Sequence, residues 1–157
     1  MNKVMLFVLI LLSSVFASGK SWESMSFEYE GYPLYLRIPI GQDYENLSES
    51  YSKHISITHH LEKVLSNGLP ENEYNESLID FDSQVTSVLE NTELGVTVLV
   101  ETFGGRRTYY MYSVSSLSVE HFKNELSNKF PEYSIDVHSY SDEDWSFIKQ
   151  YSEEWGF

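Results

Sequence analysis

The sequence predicts an α+β domain: a mixed or mainly antiparallel sheet of about six strands, two main helices packed on one face, and a short C-terminal helix. Three observations lead there. Apolar residues recur at period two in several short segments, as half-buried strands require. Two longer segments carry apolar residues at helical spacing instead. Turn residues separate these segments in the order β-β-β-α-β-β-α-β-α.

Trp22 to Tyr29 alternates, with Met25, Phe27 and Tyr29 on one face and Trp22, Ser24 and Ser26 on the other. Glu30-Gly31 turns the chain into a second alternating run, Leu34, Leu36, Ile38 and Ile40, so the pair predicts a hairpin. Pro33 and Pro39 lack ladder donors, which places this second strand at an edge or limits its paired length. Gly41 to Lys53 predicts a polar, acidic loop, and His54 to Leu61 a third strand. Asn67-Gly68-Leu69-Pro70 is turn chemistry, and acidic Glu71 and Glu73 suit the start of the helix after it. Tyr74, Leu78, Phe81, Val85, Val88 and Leu89 form its apolar face, with Glu73, Glu76 and Asp80 opposite. Val96 to Val100 is a continuous apolar run, as in a strand covered on both faces. Phe103-Gly104-Gly105-Arg106-Arg107 turns the chain, and Thr108 to Val114 returns as a tyrosine-rich strand. Ser118 is a good N-cap for a second helix carrying Val119, Phe122, Leu126 and Phe130, which Pro131 stops. Tyr133, Ile135 and Val137 make the last strand, and Ser141 with Asp144 resembles a capping box for the terminal helix.

The first seventeen residues predict a signal peptide. Lys3 supplies a positive start, Val4 to Leu12 an uninterrupted apolar run, and Val15-Phe16-Ala17 a peptidase-type cleavage site. Nine apolar residues are too few for a bilayer core of ~30 Å, which needs about 20 in a helix. Residues 18–157 are then a single domain, exported to the periplasm or secreted. The chain has no cysteine, which excludes lipid attachment through a lipobox and rules out disulfides and thiol catalysis. Its formal net charge is −14, and loss of Lys3 with the leader takes it one unit further. Such a field repels phosphate backbones and anionic lipid, so neither nucleic acid nor, after cleavage, membrane is an expected partner. A basic protein is.

The succession of Trp22, Gly31-Tyr32-Pro33, Asn67-Gly68-Leu69-Pro70, Gly104-Gly105-Arg106-Arg107 with Tyr109-Tyr110-Met111-Tyr112, and Asp142-Glu143-Asp144-Trp145 resembles the bacterial domain-of-unknown-function family 695. The resemblance runs over nearly the whole mature chain. It implies an α+β domain and carries no activity with it.

Few residues announce chemistry. Gly19-Lys20-Ser21 lacks the earlier glycine and preceding strand of a phosphate loop. His54 and His60 share a strand face but stand ~20 Å apart at ~3.3 Å per residue, too far to share one zinc ion. His59 faces the other way. The carboxylates Glu73, Glu76, Asp80, Asp142 and Asp144 form neither a calcium loop nor a recognisable hydrolytic pair, and no nucleophile elbow or cofactor motif occurs. The candidate binding residues are Arg106 and Arg107 at the Gly-Gly turn, with Tyr110 and Tyr112 beside them. Guanidinium groups can grip a carboxylate or stack on a ring, whereas in an acidic chain they can equally pair internally. The leading expectation is a protein-interaction module with an acidic surface. A hydrolase whose carboxylates or histidines meet only in the fold is the alternative, and a small anionic-ligand site at Arg106-Arg107 comes third.

Overall fold

Residues 20–157 are described by a computed structural model of the chain; the expected signal peptide lies outside them. β1 (Trp22–Tyr29) and β2 (Tyr32–Pro39) form the predicted hairpin. Its two turn residues, Glu30 (φ 53°) and Gly31 (φ 81°), both adopt the left-handed conformation that matches the twist of the flanking strands. Ile40 N donates to Ser21 O at 2.9 Å, which sets the hydrogen-bonding phase of this ladder. Even-numbered residues of β2 therefore turn their main chain to β1, and odd-numbered residues turn outward to β4 (Gly95–Phe103). Pro33 and Pro39 are odd. The ladder to β4 is confined to Tyr35, Leu36 and Arg37 between them. Missing donors thus limit the paired length, while the edge position itself falls to β1.

The loop expected at 41–53 contains a helix, α1 (Tyr44–Ser50), capped by Asp43, whose side chain accepts from Asn46 N at 3.2 Å. Seven residues with two apolar side chains, Tyr44 and Leu47, are too few to display a helical period. The helix expected from Tyr74 to Leu89 is interrupted: α2 (Asn72–Ser77) ends at Leu78 (φ −84°, ψ −3°), and α3 (Ile79–Ser87) follows, then a 3-10 turn at Glu90–Thr92. Leu78 is wholly buried, and α2 buries nothing of its own, so one apolar anchor holds the junction.

β3 (Lys53–His60) lies between β5 (Arg106–Ser113) and β6 (Ile135–Ser141), and the strand order is β1-β2-β4-β5-β3-β6 with every pairing antiparallel. As expected, β4 is buried on both faces from Gly95 to Val100. One face carries Ile55, Ile57, Tyr109 and Met111 under α3 and α4 (Val119–Lys129), through Phe81, Val85, Phe122 and Leu126. The other carries Leu34, Leu36, Val98 and Tyr112 under α5 (Ser146–Trp155), through Trp145, Ile148 and Trp155. The two main helices thus share a face, as predicted, and the C-terminal helix covers the opposite one. Ser118 caps α4 through His121 N, as expected. The cap of α5 is Asp142 rather than Ser141: its carboxylate accepts from Ser146 N (2.9 Å) and Phe147 N (3.0 Å). Trp145 makes this possible by turning left-handed (φ 55°), which aims the first helical N–H groups back at Asp142.

Candidate functional site

The two arginines are not in the turn. They are the first two residues of β5, because Gly104 (φ 56°) and Gly105 (φ 78°) alone close the β4–β5 hairpin. Strand alternation therefore sends Arg106 and Arg107 to opposite faces, and it divides the candidate residues. Arg106, Tyr110 and Tyr112 share the α5 face, whereas Arg107 points under α3.

Arg107 is buried, at 6% exposure, and fully engaged. Its Nη1 donates to Asp82 Oδ2 (2.8 Å), Nη2 to Asn75 Oδ1 (2.6 Å) and Nε to Thr102 Oγ1 (3.0 Å). Asp82 also accepts from Arg37 Nη2 (3.1 Å) and from the Tyr109 hydroxyl. Burial opposes the charge on Arg107, but Asp82 outweighs it and the guanidinium pKa rises. The Tyr109 hydroxyl is pushed well up by burial and by the same carboxylate. One anion thus answers two cations and a phenol. Asp82 is a residue that apolar patterning passes over, yet its signal is visible: Leu78, Asp82, Val85 and Leu89 follow helical spacing, with a carboxylate inside the apolar stripe.

On the opposite face, Tyr112 is buried, stacks on Trp145 at 4.0 Å, and donates to Asp142 Oδ2 (2.6 Å). Tyr110 is half-buried against Phe147 (4.6 Å) and Tyr151. Arg106 alone of the four is exposed, with His60 as its cross-strand neighbour. Arg107 is thus parted from the other three, while Arg106, on the same face as Tyr110, acts electrostatically on its hydroxyl and on Glu101.

The histidines separate as the alternation predicts. His59 lies under α3 against Phe81 and Tyr133, and His60 on the other face bonds Asp136 (2.7 Å). His54 is enclosed by Tyr140 (4.5 Å, stacked), Phe147, Tyr112 and Tyr110. Among the described residues neither ring nitrogen of His54 has a hydrogen-bond partner, and His59 Nδ1 has none. Burial lowers the pKa of both to about 4. Among the described residues, no group of three or more His, Asp and Glu side chains is placed to hold a metal ion.

The quoted motifs meet at two places in the fold. The Asn67-Gly68 turn lies on the Gly104-Gly105 hairpin, with Gly105 N donating to Gly68 O (2.8 Å) and a side chain at Gly68 blocked by Gly104 Cα at 3.0 Å. Trp145 and Asp142 lock onto Tyr112. A six-stranded antiparallel sheet with helices on both faces and these two locks defines an α+β domain whose motif residues build the fold. The chain belongs to a family of unknown function (DUF695), whose model matches residues 20–151. No curated protein and no solved structure matches it.

Proposed function

We propose that the domain is a protein-interaction module that acts outside the cytoplasm and meets a basic partner through its acidic surface. The distribution of its cations supports this. Arg107 and Arg37 are drawn to Asp82, Lys20 to Glu90 and the Thr97 carbonyl, and Lys53 Nζ to Leu117 O (2.7 Å). These groups are spent inside the molecule, while Glu71, Glu73, Glu76 and Asp80 on and around α2 stand exposed. The net charge of −14 is thus presented largely by exposed carboxylates, and a field of that sign accelerates encounter with a cationic protein. The apolar run and cleavage site before residue 20 support export. The buried carboxylates Asp82 and Asp142 are held by internal donors, which favours binding over hydrolysis as the role of the domain.

Affinity capture from the envelope fraction of its own cell, eluted with rising salt, tests the reading. A single stoichiometric basic protein that leaves at high salt is the expected result. Only salt-independent or sub-stoichiometric partners would sink it.

A further inference from the structure

Among the described residues β6 ends the sheet, with β3 on one side and no strand on the other. The phase of its ladder follows from the two bonds that flank it: His60 N donates to Ser134 O (3.0 Å) and Asp142 N to Ser52 O (2.9 Å). In an antiparallel ladder hydrogen-bonded pairs alternate, and the register of β3 and β6 is unbroken from Lys53↔Ser141 to His59↔Ile135. Asp136, His138 and Tyr140 therefore turn their main chain toward β3. Ile135, Val137, Ser139 and Ser141 turn their N–H and C=O groups away from the sheet, and among the described residues these groups have no protein partner.

Proteins blunt such edges with proline, lysine, bulges or a covering element. β6 has no proline, no lysine and no register shift, and its one carboxylate, Asp136, is bonded to His60. His138, Ser139, Tyr140 and Ser141 are all exposed, so the second half of the strand is open on both faces as well as along its edge. The other edge strand differs: β1 carries Glu23 and Glu28 and is half-buried at every position except Glu28.

The geometry points to β6 as a docking edge, on which an extended segment of the basic partner adds as a seventh, hydrogen-bonded strand. Its recognition chemistry follows from the row Tyr112, His54, Tyr140, in which Tyr140 stacks on His54 at 4.5 Å and remains 50% exposed. A strand laid beside β6 places one side chain about 5 Å from Tyr140, where an aromatic ring continues the row. A second copy of this chain fits poorly. Each copy carries a net charge of −14, so two copies repel as they approach. The proposal deepens the interaction reading above and rests on it for the positive charge of the partner.

The test uses random heptapeptides displayed on phage and selected on the full-length protein, then resynthesised. Enriched peptides are expected to combine an aromatic residue with lysine or arginine, and to protect the amides of Val137, Ser139 and Ser141 from exchange. Ser139→Pro removes an outward donor and leaves the ladder to β3 intact, so it should weaken binding at least about tenfold with an unchanged melting temperature. The peptide supplies a second arm that needs no variant. N-methylation of the amides of one parity should abolish binding, and of the other parity leave it. Binding indifferent to Ser139→Pro and to the parity of methylation overturns the docking edge, as does failure to enrich any peptide. Salt-sensitive capture of a basic protein would in those cases still uphold the broader reading, so the two can fail separately.

Discussion

At the scale of single residues, the adjacent arginines are the sharpest contrast. Arg106 is exposed, and Arg106→Ala should change unfolding free energy by no more than ~0.5 kcal/mol. Arg107→Ala leaves buried Asp82 with only Arg37 and the Tyr109 hydroxyl as donors, strips Asn75 and Thr102 of their partner, and should cost about 3 kcal/mol in urea unfolding. Equal effects of the two substitutions would contradict the placement of the strand start at Arg106. His54 offers a pH prediction. Its folded pKa of about 4 lies below the ordinary 6.5, so between those values the unfolded chain binds more protons than the folded one. Stability from this group is therefore complete above pH 6.5 and is lost as pH falls toward 4, by on the order of 3 kcal/mol at full protonation. His59 acts in the same direction, while Asp142 beside His54 partly favours the imidazolium. His54→Phe, which keeps the ring among Tyr110, Tyr112, Tyr140 and Phe147, should flatten the fall in melting temperature over that window. A fall as steep as in the parent chain would show that His54 is not the responsible group.

At the scale of elements, the glycines and the α5 cap decide where strands and helices can stand. A Cβ on Gly95 would meet the Tyr112 carbonyl oxygen at 2.3 Å and Ser113 Cα at 3.0 Å. Both obstacles are backbone of β5, so Gly95→Ala should push β4 from β5 and cost about 1–3 kcal/mol by thermal unfolding. Asp142→Ala releases two helix N–H groups and the Tyr112 hydroxyl together, with an expected loss of about 2 kcal/mol or more. The strands were largely legible because alternation is a local pattern: Leu34, Leu36 and Ile38, or His59 against His60, fall on the sides their spacing predicts. The hairpin turns were legible through their glycines. The break at Leu78 was not, since Leu78 continues the helical spacing and only its complete burial in the fold marks it as the junction, and α1 was too short to show a period. The placement of Arg106 and Arg107 depended on where a two-residue turn ends, a shift of two positions that sequence spacing does not resolve. Asp82 required knowing that Arg107 lies beneath it, a contact between positions 25 residues apart.

At the scale of the whole molecule, the acidic field and the open edge make separable contributions to one encounter. Charge acts at a distance, before the partners touch, and is screened over about 8–10 Å at physiological salt. Edge hydrogen bonds act only after docking. Reversing charge on α2 with Glu73→Lys and Glu76→Lys should therefore slow association and flatten its salt dependence, with little change in dissociation. Ser139→Pro should do the reverse, leaving the association rate and its salt dependence in place while dissociation accelerates about tenfold or more. Stopped-flow or surface kinetics on the captured partner, at several salt concentrations, separates the two. If both variants change the same rate constant, field and edge belong to one contact, and the partner's charged groups must then lie on its docking segment.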